Sequence, residues 1–250
     1  LTSYPTRMTI NYGQQSLFVL FFLILPFISK SNFFSFLSGM SVFKYSTGYV
    51  IFLYFLIKKE YKKFLFATLP YILGWIIYFT YTRSNPIINF FEPLQWILQT
   101  GYTRDGDIYS ILNIYLFSSL DYHYRLFLVI LMFLVNIFFI FKIINIKNDL
   151  LLMSLICLCP LIFFPHSNYD YVLLFPLMCY SFSKSEYLIN KINIYFVLYF
   201  FYFNRAIKHL IDFDAIYQPL ILLFMIILLI GNIYSFKYKD NLYLFKLKLI

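Results

Sequence analysis

The chain has 250 residues, of which 62% are hydrophobic and 12% charged, and it carries a net charge of +9. Soluble domains are about a quarter charged, and one this apolar would expose patches large enough to aggregate, so a soluble globular fold is excluded and an integral membrane protein is expected. The positive charge does not point to nucleic acid, because the lysines stand at the ends of apolar runs and form no basic domain.

Hydrophobic runs place spans at about 15 to 29, 33 to 57, 64 to 82, 124 to 144, 149 to 164, 169 to 183, 187 to 203 and 216 to 235. The chain therefore reads as one all-α, polytopic transmembrane bundle of about eight spans over residues 1–250. The second run is interrupted at Lys44, which suggests two half-helices. Lys58, Lys59, Lys62 and Lys63 form the most basic short loop and by the positive-inside rule lie in the cytoplasm. Alternation from there puts Lys142, Lys147, Lys184, Lys191 and the tail lysines Lys237, Lys239, Lys246 and Lys248 on the same side.

The segment from Arg83 to Tyr124, the His166 loop and Asn204 to Tyr217 then face outward. They carry Glu92, Asp105, Asp107, Asp121, Asp170, Asp212 and Asp214, which puts the chemistry on the extracytoplasmic face. Within the long outer loop, IINFFEPLQWILQ predicts an interfacial amphipathic helix anchored by Phe90, Phe91 and Trp96. Asp105-Gly106-Asp107 has the form of a metal-binding Asp pair, but an Asp-Gly pair is first of all a turn, and no metal is expected. Cys157, Cys159 and Cys179 lie inside apolar runs and read as inert buried thiols, with no disulfide.

Three places carry chemistry-bearing residues against the apolar trend. Lys44 is a cation inside an apolar run, a placement costly enough to suggest function, with snorkelling at a helix break as the plain alternative. FPHSNYDYVLLFP, Phe164 to Pro176, holds His166, Tyr169 and Asp170. His166 and Asp170 suit proton transfer; the structural alternative has Ser167 or Asn168 capping the next helix and Asp170 favouring its dipole. Arg104, Arg125, Arg205 and Lys208 are further outer cations, arginine being suited to bidentate phosphate contact.

RMTINYGQQSLFVLFFLI, Arg7 to Ile24, then SFLSGMSVFKYSTGYVIFLYFLIKKEYKKF, Ser35 to Phe64, and finally FPHSNYDYVLLFP together resemble the family-87 glycosyltransferases of the GT-C superfamily. The matching positions are Gly13, Gln14, Gly39, Lys44, the cluster Lys58 to Lys63, His166, Tyr169 and Asp170; the family's Pro after the Lys is Tyr45 here. The resemblance implies a GT-C-like bundle in the cytoplasmic (inner) membrane. Its activity would move a hexose or pentose, mannose or arabinofuranose foremost, from a polyprenyl-phosphate donor to a lipid or polysaccharide acceptor, with no cofactor and no nucleic-acid partner.

On that basis His166 and Asp170 are the catalytic candidates, and Lys44, Arg104 and Arg205 bind the donor phosphate. Gln14 and Tyr169 line the site. The resemblance covers the family's C-terminal part, so the chain is expected to be an N-terminally truncated fragment whose missing outer loop carries a further Asp. A polytopic transporter or flippase, or a noncatalytic membrane subunit, is the alternative function.

Overall fold

A computed structural model describes residues 15–83, 95, 106–115, 122–166, 168–185, 187–203, 207 and 214–247, and among these it contains helices and turns but no strand. The helices are α1 (Ser16–Ile28), α2 (Asn32–Ser38), α3 (Tyr45–Gly48), α4 (Val50–Ile57), α5 (Tyr61–Thr82), α6 (Ile108–Tyr115), α7 (Tyr122–Ile143), α8 (Asp149–Phe163), α9 (Phe175–Ser183), α10 (Leu188–Leu198) and α11 (Asp214–Leu247). A tight 3-10 helix at Gly39–Phe43 prolongs α2, another at Asn168–Leu174 leads into α9, and a π turn at Tyr199–Phe203 ends α10.

Among the described residues three stretches are both long and apolar enough to cross a membrane unaided: Tyr61–Thr82, Tyr122–Ile143 and Ile216–Ser235. Their outer faces are apolar, as lipid requires. On α5 the exposed residues include Leu65, Leu69, Ile72, Leu73, Ile76 and Ile77, while only Ala67 and Pro70 are buried. The shorter helix α8 has the opposite character. Every residue from Leu151 to Phe163 is buried, so this 15-residue helix is the hub of the bundle. Asn148 starts it by accepting a hydrogen bond from the Leu151 amide at 2.8 Å, and Pro165 stands two residues past its end.

The second expected span, 33 to 57, is corrected by the structure. It is not one rod interrupted at Lys44 but two segments that fold back on each other there. The Ser41 hydroxyl donates to the Gly48 carbonyl at 3.4 Å, and a Cβ at Gly48 would lie 2.0 Å from the Ser41 carbonyl oxygen, so the chain reverses across this turn. Gly39 packs on Ala67 and Gly74 on Phe43, hence Asn32–Phe43 runs parallel to α5. The chain turns back within Lys58–Glu60 and Phe52 packs on Phe64 and Tyr71, so α4 runs antiparallel to α5.

The reversal reassigns the ends of the bundle. Phe27 near the end of α1 touches Tyr54 near the end of α4, so both helices descend from the Lys44 end toward the Lys58 end. Strict alternation over the predicted spans would have started α1 at the Lys58 end. Instead Ser16 stands at the Lys44 end, and Lys30 joins Lys58, Lys59, Lys62, Lys63, Lys142, Lys147, Lys184 and Lys191 at the other. The turn from α4 to α5 shows how that basic end is built. Lys59 takes a left-handed backbone (φ 58°), while the Glu60 amide bonds the Phe55 carbonyl at 2.9 Å and the Lys59 amide bonds Leu56 at 3.0 Å, which closes the helix end. Lysines there face the negative end of the α4 dipole.

Polar side chains tie the later helices together. Asn193 on α10 and Asn232 on α11 exchange amide hydrogen bonds at 2.9 and 3.0 Å, and Asn193 also donates to Ser181 of α9 at 3.1 Å. All three are buried, where an amide without partners is costly. Bonds of this kind between membrane helices contribute about 0.6 kcal/mol on average and up to about 1.7 kcal/mol. A double-mutant cycle of Asn193→Leu and Asn232→Leu should return a coupling in that range; additive effects would remove the pair as a link between α10 and α11.

The expected interfacial helix IINFFEPLQWILQ lies outside the described residues apart from Gln95, as does most of Asn204 to Tyr217.

Candidate functional site

The fold-back at Lys44, the first residue of α1 and the short helix Asn168–Leu174 meet at one end of the bundle. Lys44 has no room in a continuous helix at that point, because its backbone (φ −106°, ψ 81°) breaks the α-helical run, and the break turns its side chain toward α1. There the Lys44 ammonium and the Asp170 carboxylate, 126 residues apart in sequence, form an ion pair. Ser16 closes a three-membered ring: its hydroxyl donates to Asp170 Oδ1 and accepts from Lys44 Nζ at 2.9 Å.

A buried charge survives only where it is paired and hydrogen-bonded. Asp170 meets both conditions. Its side chain is 3% exposed against 18% for Lys44, so the carboxylate lies behind the ammonium as seen from the surface. It also sits at the N-terminal residue of α1, the positive end of that helix dipole. Asp170 also stands in the first turn of the 3-10 segment Asn168–Leu174, which runs directly into α9, so the helix-start placement holds and the ion pair with Lys44 is added to it.

His166 is buried in the same loop, with Nδ1 3.3 Å from the Phe164 carbonyl oxygen. A carbonyl only accepts, so in this contact Nδ1 is the donor. Its ring meets Tyr171 edge to face at 5.2 Å, and Tyr171 packs on Phe200 at 4.7 Å, which fixes the imidazole against the end of α10.

A second polar group stands at the same end. Gly106 adopts φ +74°, the turn expected of Asp-Gly, and Asp107 accepts from the Ser110 amide at 2.7 Å and from the Ser110 hydroxyl at 2.6 Å, capping α6. Burial pushes the Tyr109 hydroxyl above its ordinary pKa, against the pull of Arg125 and with the push of Asp107. Among the described residues no group of three or more His, Cys, Asp or Glu is placed to hold a metal ion.

Of the residues singled out from the sequence, Lys44, His166 and Asp170 come to one end of the bundle, and Tyr169 takes part in the short helix that carries Asp170. Gln14, Arg104 and Arg205 lie outside the described residues. Ser16 is the member that sequence reasoning missed. A serine at the start of an apolar run resembles any helix-start residue, and only the fold-back shows what it faces. The arrangement is suited to holding an anion at a partly open ammonium.

The chain matches no protein-family model, and neither a curated protein nor a solved structure was found to be similar to it.

Proposed function

We propose that the chain is a membrane glycosyltransferase of the GT-C kind, moving a hexose or pentose from a polyprenyl-phosphate donor to a lipid or polysaccharide acceptor on the extracytoplasmic face of the cytoplasmic membrane. In this reading the shorter apolar helices also cross a locally thinned bilayer, giving the full polytopic bundle. The observation that supports it is the meeting of Lys44 and Asp170, which belong to two separate motifs of the family resemblance, with buried His166 in the loop leading to Asp170, at the bundle end opposite the basic loops.

The reaction assigns each a task. The acceptor hydroxyl attacks the anomeric carbon of the sugar, the bond from that carbon to the phosphate oxygen breaks, and its electron pair leaves with polyprenyl phosphate. Lys44, with Arg104 and Arg205, offsets the phosphate charge. His166 takes the proton of the attacking hydroxyl, general-base assistance typically being worth about 10²–10⁴-fold. Asp170 holds Lys44 in place until the donor binds. Gln14 and Tyr169 line the sugar site.

Membranes bearing the full-length gene product should incorporate labelled mannose or arabinofuranose from such a donor, and His166→Ala and Lys44→Ala should each lower the rate by about 10²-fold or more. Wild-type rates in both variants would remove the site assignment. A second reading has one observation in its favour, since a helix broken at a charged residue is also a device of secondary transporters. Substrate counterflow in proteoliposomes with no covalent sugar product would select it.

A further inference from the structure

We infer that Asp170 is the resident anion of a phosphate site, occupying with its own carboxylate the place at Lys44 and Ser16 that a ligand phosphate takes. The inference rests on the glycosyltransferase reading for the identity of that ligand, a lipid-linked phosphate, but not for the exchange itself.

Three observations carry it. The ammonium is the exposed partner and the carboxylate the buried one, so an anion arriving at this end of the bundle meets Lys44 before Asp170. The Ser16 hydroxyl and the Lys44 ammonium, which contact Asp170 Oδ1, are donors of the kind that bind phosphate oxygens. Lys44 itself sits at the apex of a fold-back whose backbone is held by hydrogen bonds, its amide to the Ser41 carbonyl at 3.2 Å and its carbonyl from the Gly48 amide at 2.8 Å, so the side chain can follow a ligand outward while the turn stays in place.

The consequence is an ordered exchange. A phosphate takes Lys44 and Ser16, and the carboxylate is displaced into the loop that also carries His166. When polyprenyl phosphate leaves, Asp170 returns and closes the site. A site closed by an internal competitor binds its ligand more weakly by the fraction of time it is open. Removing the competitor should therefore tighten binding, the opposite of what losing a site residue usually does.

The test measures binding of farnesyl phosphate to the detergent-solubilised full-length protein, with farnesol and inorganic phosphate as parallel probes. Asp170→Asn should bind farnesyl phosphate about tenfold more tightly than wild type, Asp170→Glu should stay near wild type, and Lys44→Ala should bind about tenfold more weakly, with farnesol unchanged throughout. Asp170→Ser gives the same comparison if the asparagine variant does not accumulate. The same pattern with inorganic phosphate supports the exchange and assigns it to any phosphate oxyanion; its restriction to farnesyl phosphate supports it and assigns it to the lipid-linked form. Equal or weaker binding by both Asp170→Asn and Asp170→Ser overturns it. Sugar transfer by a protein whose Asp170→Asn form binds no tighter would remove the exchange and keep the enzyme; tighter binding without any transfer would do the reverse.

Discussion

Lys44→Ala should be among the most destabilising single substitutions in the chain, costing about 3–5 kcal/mol, whereas Asp170→Asn should cost clearly less. The asymmetry follows from burial. Without Lys44, a carboxylate that is 3% exposed loses the ammonium that compensates its charge. Without the Asp170 charge, an ammonium that is 18% exposed can still draw water at the bundle end. Replacing the whole ring by Lys44→Met, Asp170→Leu and Ser16→Ala removes both the desolvation cost and the attraction, and such replacements are often neutral or stabilising. Thermal unfolding of the solubilised variants measures all three. An Asp170→Asn variant less stable than Lys44→Ala would mean that the carboxylate, not the ammonium, is the exposed partner.

Gly39→Ala should be nearly as damaging. A Cβ there would lie 1.8 Å from the Ala67 carbonyl oxygen and 2.9 Å from Pro70 Cγ, both on α5, and neither backbone nor proline ring can swing aside. Overpacking typically costs about 1–3 kcal/mol, and a clash with main chain belongs at or above the top of that range. Since lipid tails are as apolar as the side chains they replace, membrane helices hold together by close packing, and small residues at the contact permit it. Gly74→Ala provides the contrast. Its Cβ would meet only the ring of Phe43, which is 42% exposed and able to turn away, so little change is expected. Equal losses for the two variants would show that Gly39 is not a packing contact.

The positions of the helices were legible in the sequence because each apolar run is bounded by charge or proline, and most segments open and close within a few residues of the expected limits. The fold-back was not. Residues 33 to 57 make a run long enough for one span, and the small polar residues in it, Ser35, Ser38, Ser41 and Thr47, suit a buried helix face as well as a turn, so periodicity carries no sign of a reversal. Lys44 signalled a break but not its angle. The same limit applies to the site. A lysine and an aspartate in apolar surroundings each announce a partner by their cost, yet nothing in a single sequence links positions 44 and 170. Ser16 carries no charge and so announced nothing.

The meeting of Lys44 and Asp170 is tested most directly by exchanging them. Lys44→Asp and Asp170→Lys should each destabilise the solubilised protein, since each puts two like charges into the ring, and the double variant should recover much of the loss through a favourable coupling. Losses that simply add in the double variant would mean that the two residues do not meet, and both the site and the function built on it would fall.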